Sequence, residues 1–380
     1  MNRILYFIVV VAFLDTFVQL PIITPYSISL GASHVLTGAI VAVYSLTNMI
    51  GNVVGGHWID RHGRKRMLFY GMIGVAIILC FYPFAQNGEQ LLVIRFFHGL
   101  AGGILIPAAF AYIGDLTDSK TRGRTMAFTG ASIGIAAIIG PAIGGVMAAR
   151  ASIESVFLLI AGLFTITLLL VLKYVQESFQ SSDRTKVQLK HFIPLLKHPL
   201  LMQASLAAFA LMVSNGKLAF ALPLKVDDLG MTSQTTGMLL SVFGIVALIV
   251  FLTPLNRIYD RFLSLSLILT GITFIGLSLV LLSLLSSFGS SVLSMIIYGF
   301  GFALIFPSMN QIVAEASSKL DRGKAYGIFY AFFSLGVVVG SSMSGFVSEV
   351  LGYPFLVSAA VMLTIAGIVY LISRNQAPTS

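Results

Sequence analysis

Along the chain, apolar residues run in long blocks separated by short polar breaks. A helix needs roughly 20 apolar residues to cross the hydrocarbon of a bilayer. Twelve blocks meet that length, at about 4–24, 34–56, 67–84, 89–113, 124–148, 153–174, 200–222, 233–255, 264–286, 289–313, 322–347 and 353–373. The breaks are too short to hold a soluble domain. The pattern predicts an all-α membrane protein of twelve transmembrane helices. The first block follows Met1, Asn2 and Arg3 as a secretory leader would, but it is long, carries Asp15 and lacks an Ala-x-Ala cleavage site. It is read as a retained first span.

Composition agrees: of 380 residues, 57% are hydrophobic and only 10% charged, against about 25% charged in a soluble domain. The net charge of +9 raises the question of a nucleic-acid partner, and position answers it. With the N-terminus inside, the inward breaks hold Arg3, the 61–66 cluster, Lys120, Arg122, Arg124, Lys173, the basic residues of 184–197, Arg257, Arg261, Lys319, Arg322, Lys324 and Arg374; the outward breaks hold only Arg150 and Lys225. This positive-inside bias puts both termini in the cytoplasm and implies no nucleic acid. Cys80 is the only cysteine, so no disulfide forms within the chain. The histidines are scattered, with no HExxH or paired-ligand spacing, and neither a Gly-x-Ser-x-Gly elbow nor a P-loop is present. No metal site, no cofactor and no enzyme are expected.

The longest polar interval, about 175–198, divides the spans six and six. The expected domains are an N-terminal six-helix bundle (1–174), a cytoplasmic central loop (175–198) and a C-terminal six-helix bundle (199–380). The halves align at a constant offset of 200: Asp60-Arg61 with Asp260-Arg261, Gly99 with Gly299, Pro107 with Pro307, Asp115 with Glu315, Arg122-Gly123 with Arg322-Gly323, Gly140 with Gly340, and Gly145 with Gly345. Repeats of this kind mark transporters, with substrate held between them near the bilayer midplane.

Between spans 2 and 3 stands "GHWIDRHGRKR", which resembles the G-x-x-x-D-R-x-G-R-[KR]-[KR] loop of the major facilitator superfamily, with Gly56, Asp60, Arg61, Gly63, Arg64, Lys65 and Arg66 in place. Gly63 permits a tight turn, and the cations suit the anionic inner surface. "RFFHGLAGG" in span 4 (Arg95, His98, Gly99, Gly102, Gly103) resembles the family's R-x-x-x-G motif, and "GIAAIIGPAIGG" in span 5 (Gly134, Gly140, Pro141, Gly144, Gly145) resembles the G-P-x-x-G-G element of its drug:proton antiporter branch. The resemblance covers essentially the whole chain. It implies two pseudo-symmetric six-helix bundles, the major facilitator fold. It also implies that Asp60 latches against the N-terminus of span 11 ("LDRGKAYG"), where a helix attracts a carboxylate. The second-half copy, "LNRIYDRF", has lost its glycines and most of its cations, and a weaker role is expected there. Asp115 with Arg122 and Arg124, and Glu315 with Arg322 and Lys324, resemble the family's ion-pair turns and are expected to act as gate elements.

The resemblance lines the substrate cavity with spans 1, 4, 7 and 10. Asp15 is the carboxylate placed near the midplane, with Gln19 one turn on and on the same face. Burial favours its neutral acid and a nearby cation its carboxylate, a competition suited to a proton carrier. Arg95 is the expected counter-ion. An ionisable group within a span is a functional hypothesis by default; the plainer readings are an Arg95 that snorkels, a hydrogen-bonded His98 and a structural Asp15. Asn215 stands where Asp15 stands in the first half, Lys217 lies further out and either snorkels or faces the cavity, and Tyr298, Asn310 and Gln311 supply hydrogen bonds. Two cations against one Asp15 weaken the case for a purely cationic cargo.

The leading expectation is a proton-coupled secondary transporter of the antiporter type, exporting a small amphipathic compound, drug-like or zwitterionic, by alternating access. It would be a monomer in the bacterial cytoplasmic membrane, driven by the proton gradient. The rivals are a proton symporter taking up a sugar or organic anion, and a lipid flippase on the same fold.

Overall fold

The computed structural model describes residues 3–115, 122–178, 193–317, 322–352 and 354–374. Helices follow one another: α1 (Arg3–Val18), α2 (Ile23–Ser29), α3 (His34–His62), α4 (Arg64–Leu79), α5 (Gly88–Asp115), α6 (Arg122–Arg150), α7 (Ile153–Tyr174), the short α8 (Ile193–Leu196), α9 (Pro199–Asp228), α10 (Ser233–Leu252), the short α11 (Ile258–Arg261), α12 (Ser264–Leu284), α13 (Phe288–Glu315), α14 (Arg322–Val350) and α15 (Pro354–Arg374). Among the described residues there is no strand. Eleven of the helices are long and apolar enough to cross a membrane, and the pair α1 and α2 makes a twelfth.

That pair covers the run read from the sequence at about 4–24, and it is broken. The chain bends by 46° between α1 and α2. Pro21 sits in the break and has no N–H to continue the ladder. The backbone closes on itself instead: the Ile22 and Ile23 N–H groups donate to the Gln19 carbonyl at 3.1 and 3.0 Å, and Leu20 N–H to Phe17 at 3.3 Å. Irregular backbone at membrane depth survives only where it is satisfied inside protein, and Ile22 and Ile23 are indeed buried.

By contact the chain falls into two compact units, Met1–Asp183 with Leu222–Ser241, and Arg184–Ala221 with Val242–Ser380. Within each, glycines let helices approach backbone to backbone. A side chain at Gly99 of α5 would collide with the Tyr44 carbonyl of α3, and one at Gly103 with the Asn48 carbonyl. In the second unit a Cβ at Gly299 of α13 would stand 2.6 Å from the Phe243 carbonyl of α10. Likewise Gly140 and Gly144 of α6 back onto Phe17 and Val18 of α1, and Gly336 and Gly340 of α14 onto the Phe209 and Val213 carbonyls of α9. The repeat seen in the sequence is thus a repeat of contacts. The segment Leu222–Ser241 joins the first unit through the same chemistry. Gly145 meets Ser233 and Gly237, Gly237 meets the Pro141 carbonyl, and Ser241 Oγ donates to the Ile138 carbonyl at 2.8 Å.

The charged turn between α3 and α4 differs from expectation in its partners. Gly63 takes a φ of +99°, a left-handed region that favours glycine. The Glu177 carboxylate sits over this turn: it accepts the Arg64 and Lys65 backbone N–H groups at 2.8 and 3.3 Å and caps the positive end of α4. Arg64 does not lie at the surface. It is 4% exposed, its Nε is 2.8 Å from Asp115 Oδ2, and its Nη1 donates to the Ile59 carbonyl at 3.1 Å. Asp115 also accepts from Ser178 Oγ at 3.1 Å. The gate carboxylate of the first half therefore pairs with Arg64, brought from another turn; the side chains of its expected partners, Arg122 and Arg124, lie outside the described residues. The side chains of Asp60, Arg122 and Arg322 lie outside the described residues. Arg61 is exposed, and the space beside Gly56 is open.

The second-half counterpart is built without glycine. A 3-10 turn, Pro254–Arg257, leads into α11, and the Tyr259 hydroxyl donates to the Ala303 carbonyl of α13 at 2.8 Å. Burial pushes the Tyr259 hydroxyl up to about 12, so it remains a donor at neutral pH.

Two stability measurements follow from this packing. Gly63→Ala puts a side chain in left-handed backbone, costing about 1–2 kcal/mol, and its Cβ would lie 2.6 Å from a Glu177 oxygen. The thermal midpoint of the detergent-purified protein is expected to fall by several degrees, whereas Gly56→Ala leaves it unchanged or raised. Gly99→Leu overpacks the α3–α5 seam by about 3 kcal/mol and should lower the midpoint further; an unchanged midpoint would show that the seam gives way freely.

Candidate functional site

The break after α1 brings a polar network into the first unit. Asp15 lies in the last turn of α1 and Gln19 at the break itself. Both are buried, at 2% and 3% exposure, as are Arg95 at 5% and His98 at 0% on α5. The close α3–α5 seam at Gly99 and Gly103 flanks Arg95 and His98 and carries Tyr44 alongside them.

The contacts form a chain. Asp15 Oδ2 lies 3.0 Å from His98 Nε2, and His98 Nδ1 lies 2.8 Å from the Tyr82 hydroxyl. The other oxygen of Asp15 accepts from Gln19 Nε2 at 2.7 Å. Gln19 Oε1 in turn accepts from Arg95 Nη1. Arg95 Nε donates to the Ile40 carbonyl at 3.3 Å, and the guanidinium lies over the Tyr44 ring with its carbon 4.3 Å from the centroid. Tyr44 and Tyr82 hold the His98 ring edge-on at 5.1 and 5.6 Å, Tyr82 stacks on Phe157 at 3.9 Å, and the Tyr26 hydroxyl donates to the Tyr82 carbonyl at 2.6 Å.

This geometry puts a bridge between the expected counter-ions. Asp15 and Arg95 do not touch; Gln19 stands between them, and the direct partner of Asp15 is His98, expected among the substrate-cavity groups. The reason is the axial distance on α5. Arg95 and His98 are three residues apart, so they meet α1 at different heights, Arg95 beside Gln19 and His98 beside Asp15. Tyr44 and Tyr82 were missed altogether. Their signal was present, since a tyrosine buried in an apolar helix needs a partner for its hydroxyl, but nothing local said which.

The neutral histidine satisfies the network. With His98 neutral, its Nε2–H donates to the Asp15 carboxylate and its Nδ1 accepts the Tyr82 O–H. Asp15 and Arg95 then cancel in charge, as a buried set must.

In the second unit the same scaffold carries neutral groups. At the offset of 200, Asp15 becomes Asn215, His98 becomes Tyr298, Gln19 becomes Ala219 and Arg95 becomes Met295. The Tyr298 hydroxyl lies 2.8 Å from Ser214 Oγ and bonds Asn215, and its ring meets Phe243 edge-on at 5.5 Å as His98 meets Tyr44. Lys217 is fully buried, and its Nζ makes no hydrogen bond among the described residues. Asn310 Nδ2 donates to its own helix at the Phe306 carbonyl, 2.8 Å. Gln311 is exposed and donates to Glu315 at 2.9 Å, which groups it with the helix end and apart from Tyr298. Pro141, Gly144 and Gly145 line the buried face of α6, with Gly134 half-buried two turns earlier.

The comparisons with known proteins fit this architecture. The family model described as Major Facilitator Superfamily matches residues 5–319 and 204–380. Multidrug resistance protein MdtG of Escherichia coli O9:H4 (strain HS) is 26% identical over 365 residues, covering 94% of this chain and 88% of that protein. Multidrug resistance protein 2 of Bacillus subtilis (strain 168) is 24% identical over 372 residues, covering 94% and 91%. Among solved structures, a POT family transporter in complex with a thioalcohol-conjugated peptide superposes with a TM-score of 0.82 at 14% identity over 98% of this chain and 96% of that one. A bacterial homolog of the human lysosomal transporter Spinster gives 0.80 at 14% identity over 98% and 96%. At such identities the structures speak for the fold alone. The chain belongs to the Major Facilitator Superfamily, as a multi-pass membrane transporter and not an enzyme.

Proposed function

We propose that the protein exports small amphipathic compounds in exchange for protons, by alternating access, across the bacterial cytoplasmic membrane. Both termini lie inside, the proton gradient drives the cycle without a bound cofactor, and the monomer is the working unit. The observation that carries this reading is the buried chain Tyr82–His98–Asp15–Gln19–Arg95, a titratable set balanced in charge and present in only one of the two repeats. The exchanged proton is carried by the Asp15–His98 pair. Cargo binding favours the deprotonated network and proton binding favours cargo release, so the two compete.

Direction is supported by the G-P-x-x-G-G face of α6, packed on α10 through Gly145 and Gly237, and by relatives whose names refer to multidrug resistance. Uptake of an organic anion with protons is the second reading, and the two buried cations Arg95 and Lys217 favour it.

Energised inside-out vesicles with a lumenal pH dye separate the two readings. Adding cationic, zwitterionic and anionic compounds should release lumenal protons in wild type, and Asp15→Asn should reduce the response at least tenfold. His98→Gln should do the same while leaving the protein folded. Proton-driven exchange that persists in Asp15→Asn would sink the assignment, and alkalinisation only when compound is preloaded in the lumen would establish symport.

Gln19→Leu separates bridging from chemistry. It leaves Arg95 and Asp15 each short of one hydrogen bond, so we expect a lower thermal midpoint, by about 1–3 kcal/mol of stability, with coupling weakened but present.

A further inference from the structure

We propose that Lys217 is the anion-binding point of the second unit, holding an oxyanion, carboxylate or phosphonate in type, that the transported compound brings. This rests on the reading of the chain as an exporter of small amphipathic compounds and names the charge of the cargo.

The burial of Lys217 argues against the plain alternative. A lysine that snorkels presents its ammonium at the interface, whereas this one is enclosed by protein. The whole residue has no exposed surface, and Nζ finds no acceptor. A buried ammonium is costly unless it is paired.

No pairing carboxylate is available at that depth in the same unit. The acidic residues of 184–221 and 242–380 are Asp260, Glu315, Asp321 and Glu349. Asp260 is in the short helix α11, Glu315 ends α13 and Glu349 is one residue from the end of α14; Asp321 lies outside the described residues. Arg95, by contrast, is tied into a network that contains Asp15. Arg95 has its balancing carboxylate within its own unit, and among the described residues of the second unit Lys217 has none.

The neighbourhood is arranged for a polar guest. At the offset of 200, Lys217 takes the place of Phe17, and Ser341 and Ser344 of α14 take the places of Pro141 and Gly144. Where the first unit has a phenylalanine, a proline and a glycine, the second has a buried cation and two buried hydroxyls. Gly216 keeps α14 close, with the Val337 carbonyl 2.6 Å from where its Cβ would stand. One turn back on the same face, Ser214 and Tyr298 share a hydroxyl contact of 2.8 Å. Both serines of α14 now bond their own helix carbonyls, Ser341 to Val337 at 2.7 Å and Ser344 to Gly340, and both hydroxyls can turn to an incoming oxyanion at the loss of that local bond.

The test uses the full-length protein in maltoside micelles and three charge-matched probes: 1-naphthoate, 1-naphthamide and 1-naphthylmethylammonium. Thermal midpoints are titrated for wild type, Lys217→Arg and Lys217→Met. Naphthoate should raise the midpoint of wild type and of Lys217→Arg, and its apparent affinity should drop at least tenfold in Lys217→Met. The amide and the ammonium should show no dependence on residue 217. Without ligand, Lys217→Met should unfold at a higher temperature than wild type, which reports relief of the unpaired charge and shows that the variant folds. No naphthoate shift in wild type, or an equal shift in Lys217→Met, overturns the proposal. Phosphatidylglycerol is the second arm: a Lys217-dependent shift from this lipid that naphthoate fails to displace assigns the oxyanion to a headgroup and overturns the cargo assignment. Proton exchange that still depends on Asp15 alongside a negative naphthoate result would remove the anion site and leave the antiport reading standing.

Discussion

A charge in hydrocarbon has to be answered from within the protein, and most of what is distinctive in this chain follows from how that demand is met. Asp15 and Arg95 cancel through Gln19, with His98 and Tyr82 completing the hydrogen bonds. Arg64 is buried against Asp115 and the Ile59 carbonyl at the edge of the spans. Each answer needs helices held at fixed heights against one another, and the glycine seams provide that. Remove the approach of α3 to α5 at Gly99, and Tyr44 no longer lies beside His98 and Arg95.

The broken first helix serves the same demand. Backbone that leaves the helical ladder within a membrane must satisfy itself, and Gln19 does so twice, its carbonyl closing the turn around Pro21 while its amide joins Asp15 to Arg95. A continuous helix at this point would carry the side chain with the regular 3.6-residue turn. The bend of 46° makes residue 19 a junction between two helix axes.

Much of this was legible in the sequence. The spans, the offset of 200 and the glycine motifs could be read directly, because hydrophobic length and repeated spacing are one-dimensional signals. Asp15, Gln19, Arg95 and His98 were legible as members of a site, because polar groups in apolar runs stand out. Their pairing was not. Whether Arg95 or His98 meets Asp15 depends on a one-turn difference in height between α1 and α5, which no local pattern records. The partners of Arg64 were hidden for a related reason: Asp115 and Glu177 lie 51 and 113 positions away, and a loop of cations looks the same whether it faces lipid headgroups or a carboxylate. Pro21 alone does not reveal the break, since a proline in a long apolar run is also compatible with an unbroken, bent span.

The neutral copy of the site has an evolutionary consequence. A duplicated scaffold that keeps its titratable chemistry in one copy leaves the other free to drift. A substitution at Asn215, Tyr298 or Met295 alters shape and hydrogen bonding without disturbing the charge balance of Asp15 and Arg95, whereas the same change at the matching positions of the first copy strands a buried charge. The second half can therefore vary at these positions in small steps while the buried charge pair of the first stays intact.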